Sequence, residues 1–478
     1  MKSIKRTLLL FFIIVIEGYI VLSTELLAIR QSIPYIGSGT DTISVIIAAV
    51  LMPLAFGYQN GGAFKPHMMF GKFITIRKKL ILNIAVAATI LIIGLSYKSM
   101  MWFFTWMPKI GIDDRIMQTS IYCILFLVVP VYLLGQTVPL VSNFFSKEYL
   151  PKVTGRILFF STVGSFIGAV FSTLVLMPIL GVHHTVSLNF VLMAILVIAL
   201  SKRTVSLPVF YLVALALGAM VFNSDWIIAK DHVIKNNQYN TIQAGETSSG
   251  AREMIINGNR SSSYNAQGKK HSYVEFAERI AILPIISSIP PRDILVIGAG
   301  GFTFGHEDKN NNYTYVDIDR DLKEVAEQYI LREPIGDNKT FVPKSARAFL
   351  QGTDKKYDVI YLDTYLGGIS VPEHLVTQEY FTQVKNHMKD GGVLVTNFIA
   401  SPNFNSPLSR NLDNTFRSVF PHFSRHVIGE QYNLWSDSPS QIANMAYIYR
   451  HHDDYDKGHI YTDNKNSVFY DKPKKLKP

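Results

Sequence analysis

The sequence predicts two joined architectures: a bundle of about seven membrane-crossing α-helices, then an α/β domain with a mostly parallel, doubly wound, Rossmann-like sheet opened by a small β unit. Three observations carry this prediction. Seven apolar stretches between residues 1 and 222 approach the roughly 20 residues a helix needs to cross a hydrocarbon core. That same half holds 17 of the 46 Lys/Arg but only 6 of the 36 Asp/Glu, so the net charge of +10 arises there. From about residue 232 the composition turns polar, and short β-type runs alternate with helical periodicity, the signature of a doubly wound sheet.

The spans are expected near 7–29, 42–58, 80–97, 118–141, 157–180, 185–201 and 205–222. The first, "TLLLFFIIVI" after "MKSIKR", is too long for a signal peptide and lacks a small-residue cleavage site, so it reads as a retained helix. Bases cluster at Lys2, Lys5 and Arg6, at Lys65 to Lys79, at Lys147 to Arg156, and at Lys202 and Arg203, all on alternate sides of successive spans. The positive-inside rule then makes the N-terminus cytoplasmic and, with seven spans, puts the soluble half outside; "MMWFFTWM" at 100–107 is where an eighth crossing would reverse this. Glu17, Glu25 and Arg30 fall in or beside the first span, where charge is costly. They imply either a polar pathway or a packing role, as a Glu25–Arg30 pair or as a base near the interface. The Gly/Ser/Thr-rich fifth span reads as close helix packing through small residues.

In the soluble half, "YNTIQAG" and "REMIING" read as strands with a turn at Asn257-Gly258, and "SSSYNAQGKK" at 261–270 reads as a polar loop. "YVEFAERIAILPII" has helical spacing. "DILVIGAGG" is a buried strand running into a glycine turn, and "NYTYVDID" is the next strand, followed by the helix "RDLKEVAEQYI". After "KTFVPKSARAFLQ" come the strand "YDVIYLD", the helix "TQEYFTQVKNHMK", an Asp-Gly-Gly turn and the strand "GVLVTNFI". Gly298 and Gly300 let the backbone approach a ligand, and Asp317, nineteen residues after Gly298, ends the following strand where a carboxylate accepts ribose hydroxyls. Asp363 ends an apolar strand and faces the same side of such a sheet, with no second carboxylate in the next nine residues.

Several functions are excluded or disfavoured. The soluble half is nearly neutral with no basic stripe, so nucleic acid is not an expected partner. Cys123 is the single cysteine, which rules out an intrachain disulfide or a cysteine zinc cluster. "HHDD" at 451–454 reads as a solvated linker, and no metal site is expected. The basic tail "KPKKLKP" reads as disordered or as touching anionic lipid.

The order of these blocks resembles the spermidine synthase (polyamine aminopropyltransferase) family, in its membrane-fused bacterial branch. "EGYIVLSTELLAIR", "LLGQTVPLV" and "GRILFFSTVGSFIGAVFSTLVLMPILG" carry it in the first half; "NQYNTIQ", "REMIINGNRSSS", "YVEFAERI", "DILVIGAGG", "YVDIDRDL", "SARAFL", "YDVIYLD" and "PEHLVTQEYF" carry it in the second. The resemblance implies an S-adenosylmethionine methyltransferase-type domain over 291–450, preceded by a linker and β-rich unit over 223–290, a membrane domain over 1–222, and a polar tail over 451–478. It further implies transfer of an aminopropyl group from decarboxylated S-adenosylmethionine, a co-substrate rather than a tightly bound cofactor, to putrescine or another amine. By position Asp363 matches the proton acceptor, Asp317 the ribose-holding acid, and Gly298 and Gly300 the nucleoside turn. Asn240 stands where the family has Gln, and Ser345, before Ala346, where an Asp reads the adenine. Val274 replaces a His, and Gly301 and Leu366 replace acids; a later Asp near Gly368 is also missing. Expected partners are the bilayer of a bacterial plasma membrane, a nucleoside and a small amine, with a homo-oligomer left open. The retained Asp317 and Asp363 favour a transferase; the replaced acids favour a non-catalytic relative that binds a polyamine or nucleoside and signals to the bundle. Transport by the bundle is a third alternative.

Overall fold

The computed structural model describes residues 2–37, 39–69, 72–144, 150–365, 371–428 and 442–451. Seven helices are long and apolar enough to cross a membrane: Thr7–Ile36, Thr40–Ala63, Ile76–Leu95, Arg115–Ser142, Thr154–Leu180, Val182–Leu200 and Leu207–Ala229. A short hairpin, β1 (His67–Met69) and β2 (Lys72–Ile74), joins the second and third. The segment 100–107 lies in a 13-residue helix, Tyr97–Lys109, too short for an eighth span.

The first and fifth spans meet backbone to backbone, as their small residues predict. A Cβ on Gly164 would stand 2.2 Å from the Val15 carbonyl oxygen, and one on Gly168 would stand 2.4 Å from that of Tyr19. Such proximity lets dispersion forces act over the whole helix face where lipid supplies no hydrophobic drive. Contrary to one expectation, Arg30 does not pair with Glu25. Its helix runs past the expected end at 29 to Ile36, which carries the guanidinium out of the bundle, where Nε donates to the Asn237 carbonyl at 2.7 Å. Glu17 is buried, and its Oε1 has no hydrogen-bond partner among the described residues.

The ends of the odd-numbered spans gather against the soluble half. Gln31 Nε2 donates to the Leu95 carbonyl at 2.8 Å, Lys98 pairs with Asp231, and the Gly181 turn faces the Asn236 carbonyl. Since a 20-residue helix spans about 30 Å, the other ends of these helices, near Ala63, Ile76, Ser142, Thr154, Leu200 and Leu207, lie at the opposite end of the bundle, the end that the basic clusters of the sequence flank.

The soluble half opens with a four-stranded antiparallel sheet, β3 (Val233–Asn236), β4 (Thr241–Glu246), β5 (Arg252–Ile256) and β6 (Asn259–Tyr264), in that order. The expected polar loop at 261–270 therefore begins as a strand: the Asn257-Gly258 turn folds 259–264 back on β5, whose free edge the β6 backbone then pairs. After the helix Ser272–Ala281 come β7 (Asp293–Ile297), β8 (Asn312–Asp317), β9 (Lys339–Pro343), β10 (Tyr357–Leu362), β11 (Met388–Ala400), β12 (Phe423–Ile428) and β13 (Ala443–Arg450). They form one sheet in the order β12-β13-β11-β10-β7-β8-β9, parallel from β11 to β9, with β13 antiparallel to both neighbours. This is the methyltransferase-like form of the Rossmann fold. The Asp-Gly-Gly segment at 390–392, expected to precede the last parallel strand, lies inside β11 across a register shift. The near-continuous apolar strands follow from burial on both faces. Ile294 and Val296 join one core with Val359 and Tyr361, while Leu295 and Ile297 join the other with Ile360 and Leu362.

Candidate functional site

In a parallel sheet, ligands bind beyond the carboxyl ends of the strands where strand order reverses. Here the reversal lies between β7, which continues to β8, and β10, which continues to β11. A cavity of about 550 Å³ opens at that point, within the usual range for a small-molecule site. Gly298 and Asp363, the residues that follow β7 and β10, form its floor. The Asp363 amide donates to the Ile297 carbonyl at 3.0 Å, and Gly298 takes a φ of +90°. A side chain at 298 would place its Cβ 2.1 Å from the Asp363 carbonyl oxygen, so glycine is required for the two strand ends to meet.

Asp317 ends β8 and lines the cavity. Its Oδ2 accepts from the Ala299 amide at 3.0 Å and its Oδ1 from the Asp319 amide at 3.0 Å. Burial pushes its carboxyl up to about 6, with the neighbouring Asp319 adding to the rise and the backbone amides opposing it. A carboxylate so fixed, beside a glycine turn, presents its remaining lone pairs to paired hydroxyls. Asp363 is held from two sides: Asn397 Nδ2 donates to Oδ1 at 3.1 Å and the Tyr361 hydroxyl donates to Oδ2 at 3.0 Å. Burial raises it to about 6 against those two hydrogen bonds. It is thus ionised at neutral pH yet basic enough to take a proton. The Tyr361 and Tyr273 phenols are pushed well above their ordinary value by burial, with the Asp363 charge next in weight, so both stay protonated.

Asp363, Asn240, Gly298, Gly300, Asp317, Ser345 and Ala346, all anticipated from sequence, line this single cavity. Asn240 does so with its amide already engaged, donating to Asp319 Oδ2 at 2.8 Å and accepting from Asn257 Nδ2 at 2.8 Å. Ser345 precedes the short helix Ala346–Gln351 and makes no capping bond with its side chain. Val274 lines the wall, whereas Glu275 turns away to accept from the Lys270 amide at 2.9 Å. Gly301 cannot be regarded as a simple loss of an acid. A Cβ there would meet the Ser262 Cβ at 2.8 Å, and the Gly301 amide donates to Ser262 Oγ at 2.8 Å, so β6 occupies the space a side chain would need. Leu366, Gly368, residues 452–454 of "HHDD" and the basic tail lie outside the described residues.

Sequence reasoning missed several lining residues. Gln238 and Asn397 line the cavity, and each has a buried side-chain oxygen without a partner among the described residues; so does the Tyr273 hydroxyl. Leaving a buried oxygen without a partner is costly, so each marks a polar point in the residues around the cavity. Asn397 lies within an apolar run, "VLVTNFIA", and that isolated polar residue was the available signal. Ile33, from the first membrane-type helix, also lines the cavity, and nothing in the sequence placed it there.

Residues 274–429 match the spermine/spermidine synthase domain. A polyamine aminopropyltransferase of Vibrio vulnificus is 30% identical over 164 residues, which make up 32% of this chain and 52% of that protein. A polyamine aminopropyltransferase of Pyrobaculum calidifontis is 27% identical over 232 residues, 45% of this chain and 74% of its own. The chain thus spans about half the length of the first of these curated relatives. Among solved structures, a probable spermidine synthase from Corynebacterium glutamicum aligns with a TM-score of 0.37 at 20% identity, covering 45% of this chain and 77% of that one. The C-terminal part of the chain therefore contains a spermine/spermidine synthase domain, with polyamine aminopropyltransferases among its relatives.

Proposed function

We propose that this is a multi-pass protein of a bacterial plasma membrane whose soluble half transfers an aminopropyl group from decarboxylated S-adenosylmethionine to an amine. The observation that carries this reading is Asp363, fixed by Asn397 and Tyr361 across one cavity from Asp317. Asp317 and the Gly298 turn hold the nucleoside, with Ser345 and Ala346 on the adenine side. The amine donates to Asp363 and to the free oxygens of Asn397 and Tyr273. Its lone pair then attacks the carbon attached to the sulfonium: a C–N bond forms, the C–S bond breaks, the electron pair returns to sulfur as a neutral thioether, and Asp363 accepts the amine proton. Holding both reactants in one pocket supplies the proximity such a displacement needs.

A second reading, a non-catalytic relative that binds the amine or nucleoside and signals to the bundle, is favoured by the charge distribution. With bases gathered at the end of the bundle opposite the soluble half, the positive-inside rule assigns that half to the non-cytoplasmic face, away from the nucleoside supply. Capability and supply are tested separately. Full-length protein in detergent, given decarboxylated S-adenosylmethionine and putrescine, should release the thioether nucleoside. Binding of the donor without turnover against a panel of amines would establish the second reading, and no binding at millimolar donor would sink both nucleoside readings.

A further inference from the structure

We propose that Arg30, at the end of the first membrane-type helix, is a positioning residue for the nucleoside side of the cavity, so that this span and the donor site form one mechanical unit. The inference rests on reading Asp317 as the nucleoside-holding acid. Arg30 is buried, and its Nε donates to the Asn237 carbonyl at 2.7 Å while Nη2 lies 3.4 Å from both Asn236 Oδ1 and Thr241 Oγ1. Three contacts from one planar guanidinium fix the loop between β3 and β4 in position and orientation.

That loop holds the acids. Asn237 Nδ2 donates to Asp319 Oδ1 at 2.8 Å and to Asp321 Oδ2 at 2.7 Å, and its Oδ1 accepts from the Tyr239 and Asn240 amides at 2.9 Å each. Asn240 holds the other oxygen of Asp319, and the Asp319 amide donates to Asp317. Asp317 in turn accepts from Ala299 in the glycine turn. An unbroken chain of hydrogen bonds therefore runs from the helix end to the cavity floor. Asp319 is completely buried, and Arg30 is close enough to feel its charge. Ile33, one turn further along the same helix, forms part of the cavity wall, and the Asn257-Gly258 turn of β5 and β6 packs on the Pro34 carbonyl. A domain complete in itself would have no need of a wall residue from a span.

The test uses the full-length protein in detergent, with two readouts. Amide hydrogen exchange over 236–241 and 317–321 reports the loop; calorimetry with decarboxylated S-adenosylmethionine reports the donor site. Arg30→Met should accelerate exchange in both segments and weaken donor binding at least about tenfold, as loss of a charged hydrogen-bond anchor predicts. Arg30→Lys, which keeps the charge but not the fork, should recover only part of both. Lys98→Met, which breaks the other span-to-domain pair with Asp231, should change neither, separating positioning from general loosening. If Arg30→Met does not fold, Asn236→Ala, which removes a guanidinium acceptor while leaving the Asn237 bonds to Asp319 and Asp321 in place, is read in the same way. Exchange unchanged by Arg30→Met overturns the proposal whatever the calorimetry gives. Faster exchange with unaltered donor affinity overturns the positioning role. A wild-type protein that binds no donor overturns the reading of the site, while faster exchange in the variant still establishes the link between span and loop.

Discussion

At the residue scale the proposed chemistry rests on Asp363, whose environment makes two measurable demands. Its carboxyl is raised from 3.8 to about 6 by burial, so the fold favours the protonated form. The stabilising effect of that proton is complete below pH 4 and is lost as pH rises through 6. Asp363→Asn should therefore raise the unfolding midpoint of the soluble half at pH 7 to 8 by an amount equivalent to about 3 kcal/mol, with the difference shrinking toward pH 4. Turnover demands the opposite ionisation: it should rise with pH through about 6 as the carboxylate forms, and Asp363→Asn should lower it by roughly 10² to 10⁴ while donor affinity stays close to wild type. Pre-steady-state kinetics and calorimetry on the same preparation check the split. Asp363 was legible in the sequence because an apolar run stops at it. Asn397, which holds it from β11, was not, since adjacency across β10 and β11 is a property of register; Tyr361 lies only two residues before it along the same strand run.

Among the elements, the turn after β7 and the β6 strand beneath it decide what the nucleoside end can be. Gly298→Ala would force a Cβ onto the Asp363 carbonyl at an unfavourable φ, a strain of order 1 to 3 kcal/mol before any relaxation. Donor binding should be abolished, with the rest of the sheet intact by circular dichroism. Gly301→Asp, which adds the acid found in the resembling family, should weaken donor binding rather than strengthen it, because the new Cβ meets Ser262. Calorimetry on the single variant decides between these outcomes. The glycine turn could be read from "GAGG"; the obstruction at 301 could not, because "SSSY" lacks the hydrophobic alternation that marks a half-buried strand and gains its partner only by folding back on β5.

For the whole molecule, seven long apolar helices precede the soluble half among the described residues; if all of them cross a bilayer, their odd count sets the N-terminus and the soluble half on opposite faces. A phosphatase reporter fused after Pro478 should be active and a cytoplasm-dependent fluorophore dark; the reverse result would place the domain with the cytosolic nucleoside pool. Either result leaves the site's chemistry to the turnover assay. Ile33 lines the cavity and Arg30 anchors its loop, so an isolated fragment from 223 onward would lack a wall residue and an anchor.

The sequence by itself determined the two architectures, the number of long apolar helices among the described residues, the strand order's starting point at the glycine turn, and the cluster Asp317, Gly298 and Asp363. Each of these is written locally, in hydropathy, period or a strand end, where a few adjacent residues dictate backbone conformation and burial. Only the tertiary structure decided that Arg30 serves the soluble half rather than Glu25, that β6 fills the space beside Gly301, and that Asn397 and Tyr361 fix Asp363. Apart from Tyr361, two residues before Asp363 on the same run of chain, those contacts join residues 34 to 207 positions apart. A long side chain's partner is set by where its helix ends and what packs there, which no local pattern encodes.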